Sequence, residues 1–293
     1  MRMKGMRRQR RLAGRFANVD GIPFELPVNS IDNSAFLAAF TIDAMAARAL
    51  LPGNEIHPLR ISTGRGLLVI TVIDYVRTDI GKYIEFSIAI ACTHGSRPAP
   101  PIVPGALMGP YRTGQFVIDL PVSSEISVKG GKGIWGMPKH QANIDYVLTD
   151  KGVSSQYDLD GVMAMRVDVD RPNGWPLPIN VSGANYCAFR GLLMKSHVNI
   201  RGKAQIALGK RAKAQIRLGD HPRVDQLRDL DLRTDPVFTA FFPSINGVLD
   251  DYFEGWMITV EAPQHLTPEG LESVVDLGLA ENWLEPPKRS KEL

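Results

Sequence analysis

The residues best able to do covalent chemistry lie in one stretch, Gly131-Lys132-Gly133-Ile134-Trp135-Gly136-Met137-Pro138-Lys139-His140. Lys139 follows a proline at the start of an alternating run, Ala142, Ile144, Tyr146 and Leu148, that reads as a strand. Taken alone, it reads as a surface lysine, because Lys is almost never fully buried without a reason. If the strand turns it into an apolar interior, desolvation of the ammonium lowers its proton affinity, and a neighbouring cation acts in the same sense. A neutral amine can attack a ketone and form a Schiff base.

Competing motifs fail on context. Gly131, Gly133 and Gly136 spell GxGxxG, but a dinucleotide cradle needs a helix to open after the third glycine, and here a strand follows. The six histidines, His57, His94, His140, His197, His221 and His265, form neither HExxH nor a pair spaced for one helix face. Asp168/Asp170 and Asp229/Asp231 lack an EF-hand frame and read as solvated. There is no Gly-x-Ser-x-Gly elbow. Cys92 and Cys187 stand far apart and read as reduced, buried thiols, as in a reducing compartment. Neither a metal nor a cofactor is expected.

The chain of 293 residues is 44% apolar and 22% charged, within the band of ordinary globular proteins. No apolar run reaches membrane-spanning length, so no membrane partner is expected. Seven basic residues lie in the first fifteen, Arg2, Lys4, Arg7, Arg8, Arg10, Arg11 and Arg15, so the overall +3 becomes −4 once they are set aside. That arm has no interleaved aromatics and leads into no nucleic-acid module, so no nucleic-acid partner is expected. It also lacks the apolar core of a signal peptide, which implies a cytoplasmic protein. Residues 1–20 are therefore predicted as a flexible basic arm, 21–284 as one domain, and 285–293 as a polar tail.

Between the tails the dominant period is two, the pattern of half-buried strands. Strands are predicted over 36–42, 67–75, 83–93, 115–120, 142–148, 154–159, 163–169, 197–200, 204–208, 214–218 and 251–260. Asp160-Gly161 and Lys151-Gly152 mark tight hairpins. The near-copies Lys203–Gly209 and Lys213–Gly219 are predicted to be two arms of one hairpin. Helices are few: Asp43 caps one over 44–51, and Thr267-Pro268-Glu269 opens another to about Leu279. Five prolines between Pro98 and Pro110 mark a long loop that either rims a site or contacts another subunit. The fold class is mainly β, with a sheet that could close into an antiparallel barrel and enclose a ligand.

The stretch from Gly131 to His140, together with Tyr83-Ile84-Glu85, the strand Phe86 to Cys92 and His94-Gly95, resembles the acetoacetate decarboxylase family. Phe40-Thr41-Ile42-Asp43 with Leu50-Leu51-Pro52, Val117-Ile118-Asp119 and the region Ala214 to Phe242 extend the likeness over roughly residues 35 to 260. The resemblance implies a cone-like β-barrel with few short helices that assembles into homo-oligomers. It places the Schiff-base lysine at Lys139 and a proton-handling or substrate-orienting glutamate at Glu85. His140 stands where family decarboxylases carry a second, charge-supplying lysine, and is expected to join the catalytic set. Tyr83, Trp135 and Met137 are expected to contact the substrate. The family's cavity arginine and first acidic residue are not seen, the matching places holding Thr41 and Ile70. The implied function is a Schiff-base lyase acting on a β-keto acid. The alternatives are an aldolase or dehydratase working on a keto acid plus an aldehyde, and a non-catalytic barrel that binds a small metabolite.

Overall fold

The computed structural model describes residues 14–103, 107–189, 191–249, 254–259, 277–278, 280–281 and 283–289. In chain order the elements begin with β1 (Arg15–Val19), β2 (Ile22–Leu26), β3 (Val28–Asp43), α1 (Ala44–Ala49), β4 (Ile56–Pro58), β5 (Arg65–Tyr75), β6 (Arg77–Thr78) and β7 (Tyr83–His94). There follow β8 (Gly114–Val122), α2 (Glu125–Trp135), β9 (Lys139–Gln141), β10 (Asn143–Ile144), β11 (Val147–Leu148), β12 (Gly152–Leu159) and β13 (Val162–Asp170). The last are β14 (Leu177–Phe189), β15 (Leu192–Leu208), β16 (Ala214–Leu218), α3 (Asp225–Arg228), β17 (Pro236–Leu249) and β18 (Glu254–Met257).

Seven strands close on themselves in the order β7-β5-β3-β17-β15-β14-β8, with β8 returning to β7. The barrel is thus mixed: β8 meets β14 in parallel, and β9 also joins β8 in parallel. The second parallel pair follows from the chain path, because a parallel neighbour needs a crossover and α2 supplies it. A second sheet, β10-β12-β13-β16 with β11 on β12, lies outside the barrel.

The long apolar strands are explained by two buried faces. Phe36, Phe40, Leu68, Ile70, Phe86 and Ile88 point outward and form one core with Val153, Tyr157, Met165 and Val167 of the second sheet. Residues of opposite parity, Leu37, Val69, Ile73, Tyr83 and Glu85 among them, line the hollow interior. Side chains of a strand alternate between faces, so one run builds both core and cavity.

The helix expected after Asp43 is present, its carboxylate accepting from the backbone N–H groups of Met45 and Ala46. Asp160-Gly161 turns β12 into β13 with both residues at positive φ. Two expectations are corrected. The near-copies are not one hairpin: Lys203 to Leu208 ends β15 in the barrel, whereas β16 pairs with β13 in the second sheet. Residues 15–19, expected within the flexible arm, form β1, which pairs with β2 and buries Val19. In the C-terminal segment Arg289 pairs with Asp145 and donates to Ser154 at 2.9 Å. The helix predicted from Thr267 lies outside the described residues.

Sequence periodicity missed β14 and β17. Pro178, Asn180, Ser182 and Asn185 obscure the first, while Pro243, Asn246 and three register shifts obscure the second. Among the described residues no helix is long and apolar enough to cross a membrane.

Phe86 is fully buried, its ring 5.1 Å from that of Tyr157 in an edge-on contact between barrel and second sheet. Phe86→Ala is expected to cost about 3–5 kcal/mol. Urea unfolding followed by circular dichroism checks this as a lower midpoint.

Candidate active site

The site starts with the βαβ unit of β8, α2 and β9. Gly136 ends α2 in the left-handed conformation (φ 62°), its N–H reaching the carbonyls of Gly131 and Lys132. Met137 and Pro138 then lead into β9, where Lys139 pairs with Leu120 of β8. Lys139 points into the barrel, is 3% exposed, and lines a cavity of about 940 Å³.

The glycines of this region serve close packing. Cβ at Gly131 would lie 2.4 Å from Lys139 Cδ, and at Gly133 2.4 Å from Val19 Cγ1. The helix therefore rests directly on the lysine stem, with the N-terminal hairpin against its next face. Ser127 is four residues before Gly131 and so shares its face, and its Oγ accepts from Lys139 Nζ at 2.8 Å.

Glu85 enters from β7, two strands away across β8. Its Oε2 lies 2.7 Å from Lys139 Nζ. The amine also stands 5.3 Å from the centre of the Tyr83 ring. Tyr75, opposite Tyr83 in the β5–β7 ladder, stacks on it with ring centres 4.5 Å apart. Tyr75 and Tyr83 feel each other and the negative charge of Glu85, and Tyr83 also feels Ser127. Amine, carboxylate, two phenols and a hydroxyl are thus gathered in one place. Burial first, and then the negative charge of Glu85, push both phenols well above their usual range, so they remain protonated hydrogen-bond donors.

Trp135 and Met137 line the same cavity, as do Tyr83 and Glu85. Glu85 and Lys139 are the only charged side chains among its described lining residues. Five of the six residues singled out from sequence are therefore brought together. The sixth is not. Strand alternation turns His140 to the opposite face, where its Nε2 meets Asp119 Oδ1 at 2.9 Å. Arg223 approaches the same carboxylate at 2.8 Å and the Tyr157 hydroxyl donates to it at 3.4 Å. His140 thus anchors β9 from behind instead of sharing the cavity with the amine.

Thr41 and Ile70 lie off the cavity as well. Arg65 donates to Thr41 at 3.2 Å, and Ile70 is buried in the outer core. Ser127 and Tyr75 were missed by sequence reasoning, and Gly131 was read only as part of a motif, without its packing role. Ser127 and the packing role of Gly131 would have been found had 125–135 been read as a helix, but three glycines there depress helix propensity. The Pro98–Pro110 loop contributes Ile102 and Met108 to the cavity rim. Both cysteines are free and buried, burial pushing the Cys187 thiol up to about 12. Among the described residues no cluster of metal-ligating side chains is present.

The family model for acetoacetate decarboxylase matches residues 17–172. An acetoacetate decarboxylase from Legionella pneumophila is similar in structure, with TM-score 0.58 and 14% identity over 80% of this chain and 87% of that one. A second acetoacetate decarboxylase structure gives TM-score 0.57 and 13% identity over 80% and 91%. The enduracididine biosynthesis enzyme MppR, complexed with the condensation product of pyruvate and imidazole 4-carboxaldehyde, gives 0.52 and 14% over 79% and 88%. No curated protein matches the chain in sequence.

Two outcomes test this geometry. In Gly131→Ala the new methyl must push the lysine stem aside. Borohydride trapping of a ketone on Lys139 is expected to slow by tenfold to a hundredfold, on the order of what an ångström of misplacement costs. Asp119 addresses the anchoring network. Its burial would raise the carboxyl pKa, but the His140 and Arg223 contacts outweigh this and hold it below the ordinary 3.8. The stabilisation is therefore complete above pH 3.8 and is lost as pH falls through the lower folded value. Asp119→Asn is expected to destabilise the protein by roughly 1–3 kcal/mol at pH 7, Arg223 being part exposed. Melting temperatures measured from pH 7 to pH 3 should show the gap from wild type closing below about 3.8.

Proposed function

Because the chain belongs to the acetoacetate decarboxylase family, we propose that it is a lyase that releases carbon dioxide from a β-keto acid through a Schiff base on Lys139. The observation that carries this reading is the buried amine, 2.7 Å from a carboxylate, inside a cavity with no other charged group among its described lining residues.

The chemistry follows from those two groups. Glu85 accepts a proton from the ammonium, and the freed Nζ pair attacks the keto carbon. The carbonyl π pair moves to oxygen, which takes a proton from Nζ to give a carbinolamine; Glu85 then returns its proton to that hydroxyl, which leaves as water, and an iminium remains. The bond to the carboxylate then breaks, its electron pair moving into the iminium to give a neutral enamine and carbon dioxide. Glu85, reloaded from solvent, protonates the enamine carbon, and water releases the ketone and restores the ammonium. One proton is consumed per turnover.

The lining favours this sequence. A substrate carboxylate meets no cation there except the iminium, and an ion poorly solvated by its surroundings is relieved by becoming neutral carbon dioxide. The same iminium could serve an aldol condensation, the chemistry suggested by the product bound to MppR. That route needs a base to take a carbon-bound proton, whereas decarboxylation forms the enamine without one.

Lys139→Ala and Lys139→Arg are both expected to abolish carbon dioxide release, since a guanidinium stays protonated and is a poor nucleophile. Glu85→Gln should slow turnover by about 10²-fold or more. Borohydride reduction with acetoacetate, followed by peptide mass spectrometry, should leave an adduct on Lys139 whose mass lacks the carboxylate. Turnover retained by either lysine variant would overturn the assignment.

A further inference from the structure

The cavity is far larger than a four-carbon keto acid requires. Its volume of about 940 Å³ lies at the upper end of the roughly 300–1,000 Å³ typical of sites for drug-sized ligands. It is also long. Glu85 and Ala91 both line it and stand six residues apart on β7, which at about 3.3 Å per residue is about 20 Å.

The two ends differ in chemistry. One holds Lys139, Glu85 and the paired tyrosines. The other is walled by Leu59, Val69 and Ala91 with Phe238 packed against them. Larger polar side chains of the lining are turned to protein partners: Gln115, paired with Ala91 at the far end, donates to Asn185 at 2.8 Å, and Asn33, at the lysine end, donates to Ser30 at 2.9 Å. The far end therefore offers apolar surface beside one amide pair already hydrogen-bonded within the protein, and no charge.

We infer that the substrate of this site is a β-keto acid whose acyl group is a long apolar chain, its keto carbon held at Lys139 and its tail laid along the barrel toward Ala91. This rests on Lys139 being the reacting amine. An extended alkyl chain advances roughly 1.3 Å per carbon, given C–C bonds of about 1.5 Å, so the barrel accommodates about a dozen carbons. Each methylene removed from water should raise apparent affinity about fourfold.

The test is a series of straight-chain 3-oxo acids from four to twelve carbons, with carbon dioxide release read as kcat/KM. The expected result is a rise of about fourfold per methylene up to about ten carbons. In Ala91→Phe, which fills the far end, the optimum should move to shorter chains. A flat or falling series in the wild type would overturn the inference while leaving the Schiff-base reading intact. If no 3-oxo acid reacts, the Schiff-base reading fails, and binding of the matching 2-alkanones to Lys139→Ala decides the inference separately. Affinity rising with chain length would support it, and affinity independent of length would overturn it.

Discussion

The contact between Lys139 and Glu85 is the constraint on which the rest of the site depends. An isolated ammonium in an apolar interior costs several kcal/mol, and only close, well-directed partners offset that. Here the partners come from three elements: the carboxylate from β7, the Ser127 hydroxyl from α2 and the lysine from β9. None of these can move far without leaving a buried polar group unpaired. The glycines of α2 belong to the same constraint, since a helix carrying side chains at 131 and 133 could not lie on both the lysine stem and Val19.

Keeping such an interior hollow requires that stability come from elsewhere. The largest core does not fill the barrel but lies between its outer face and the second sheet, where Phe36, Phe40, Phe86 and Tyr157 are fully buried. The inward faces of β3, β5 and β7 are then free to line a cavity. The two jobs meet at β9, whose inward residue is the amine and whose outward residue, His140, ties the strand to Asp119 and Arg223. Mutations behind the sheet can therefore reach the site by shifting β9 even though they touch no ligand.

Much of this was legible in the residue order. Period-two alternation marked β3, β5, β7, β12 and β13, because each has at least one buried face and alternation is what a buried face imposes. The Asp43 cap and the Asp160-Gly161 turn were readable because both are local, set by a side chain or a positive φ within a few residues. The family resemblance placed Lys139, Glu85, Tyr83, Trp135 and Met137, and all five line one cavity. β14 and β17 were not legible, since their pairing partners supply the order their own sequences lack.

What the sequence by itself determined was local: which segments alternate, where turns fall, and that a lysine follows a proline at the head of a strand. Only the tertiary structure decided which way that lysine faces, that His140 faces the other way, and that the near-copies around Ile206 and Ile216 belong to different sheets. It also showed why three glycines crowd α2. The physical reason is one of range. Alternation is a property of neighbouring residues and is the same whichever face is turned inward, whereas the choice of face and the contact between the amine of β9 and the carboxylate of β7 arise only when distant strands close the barrel.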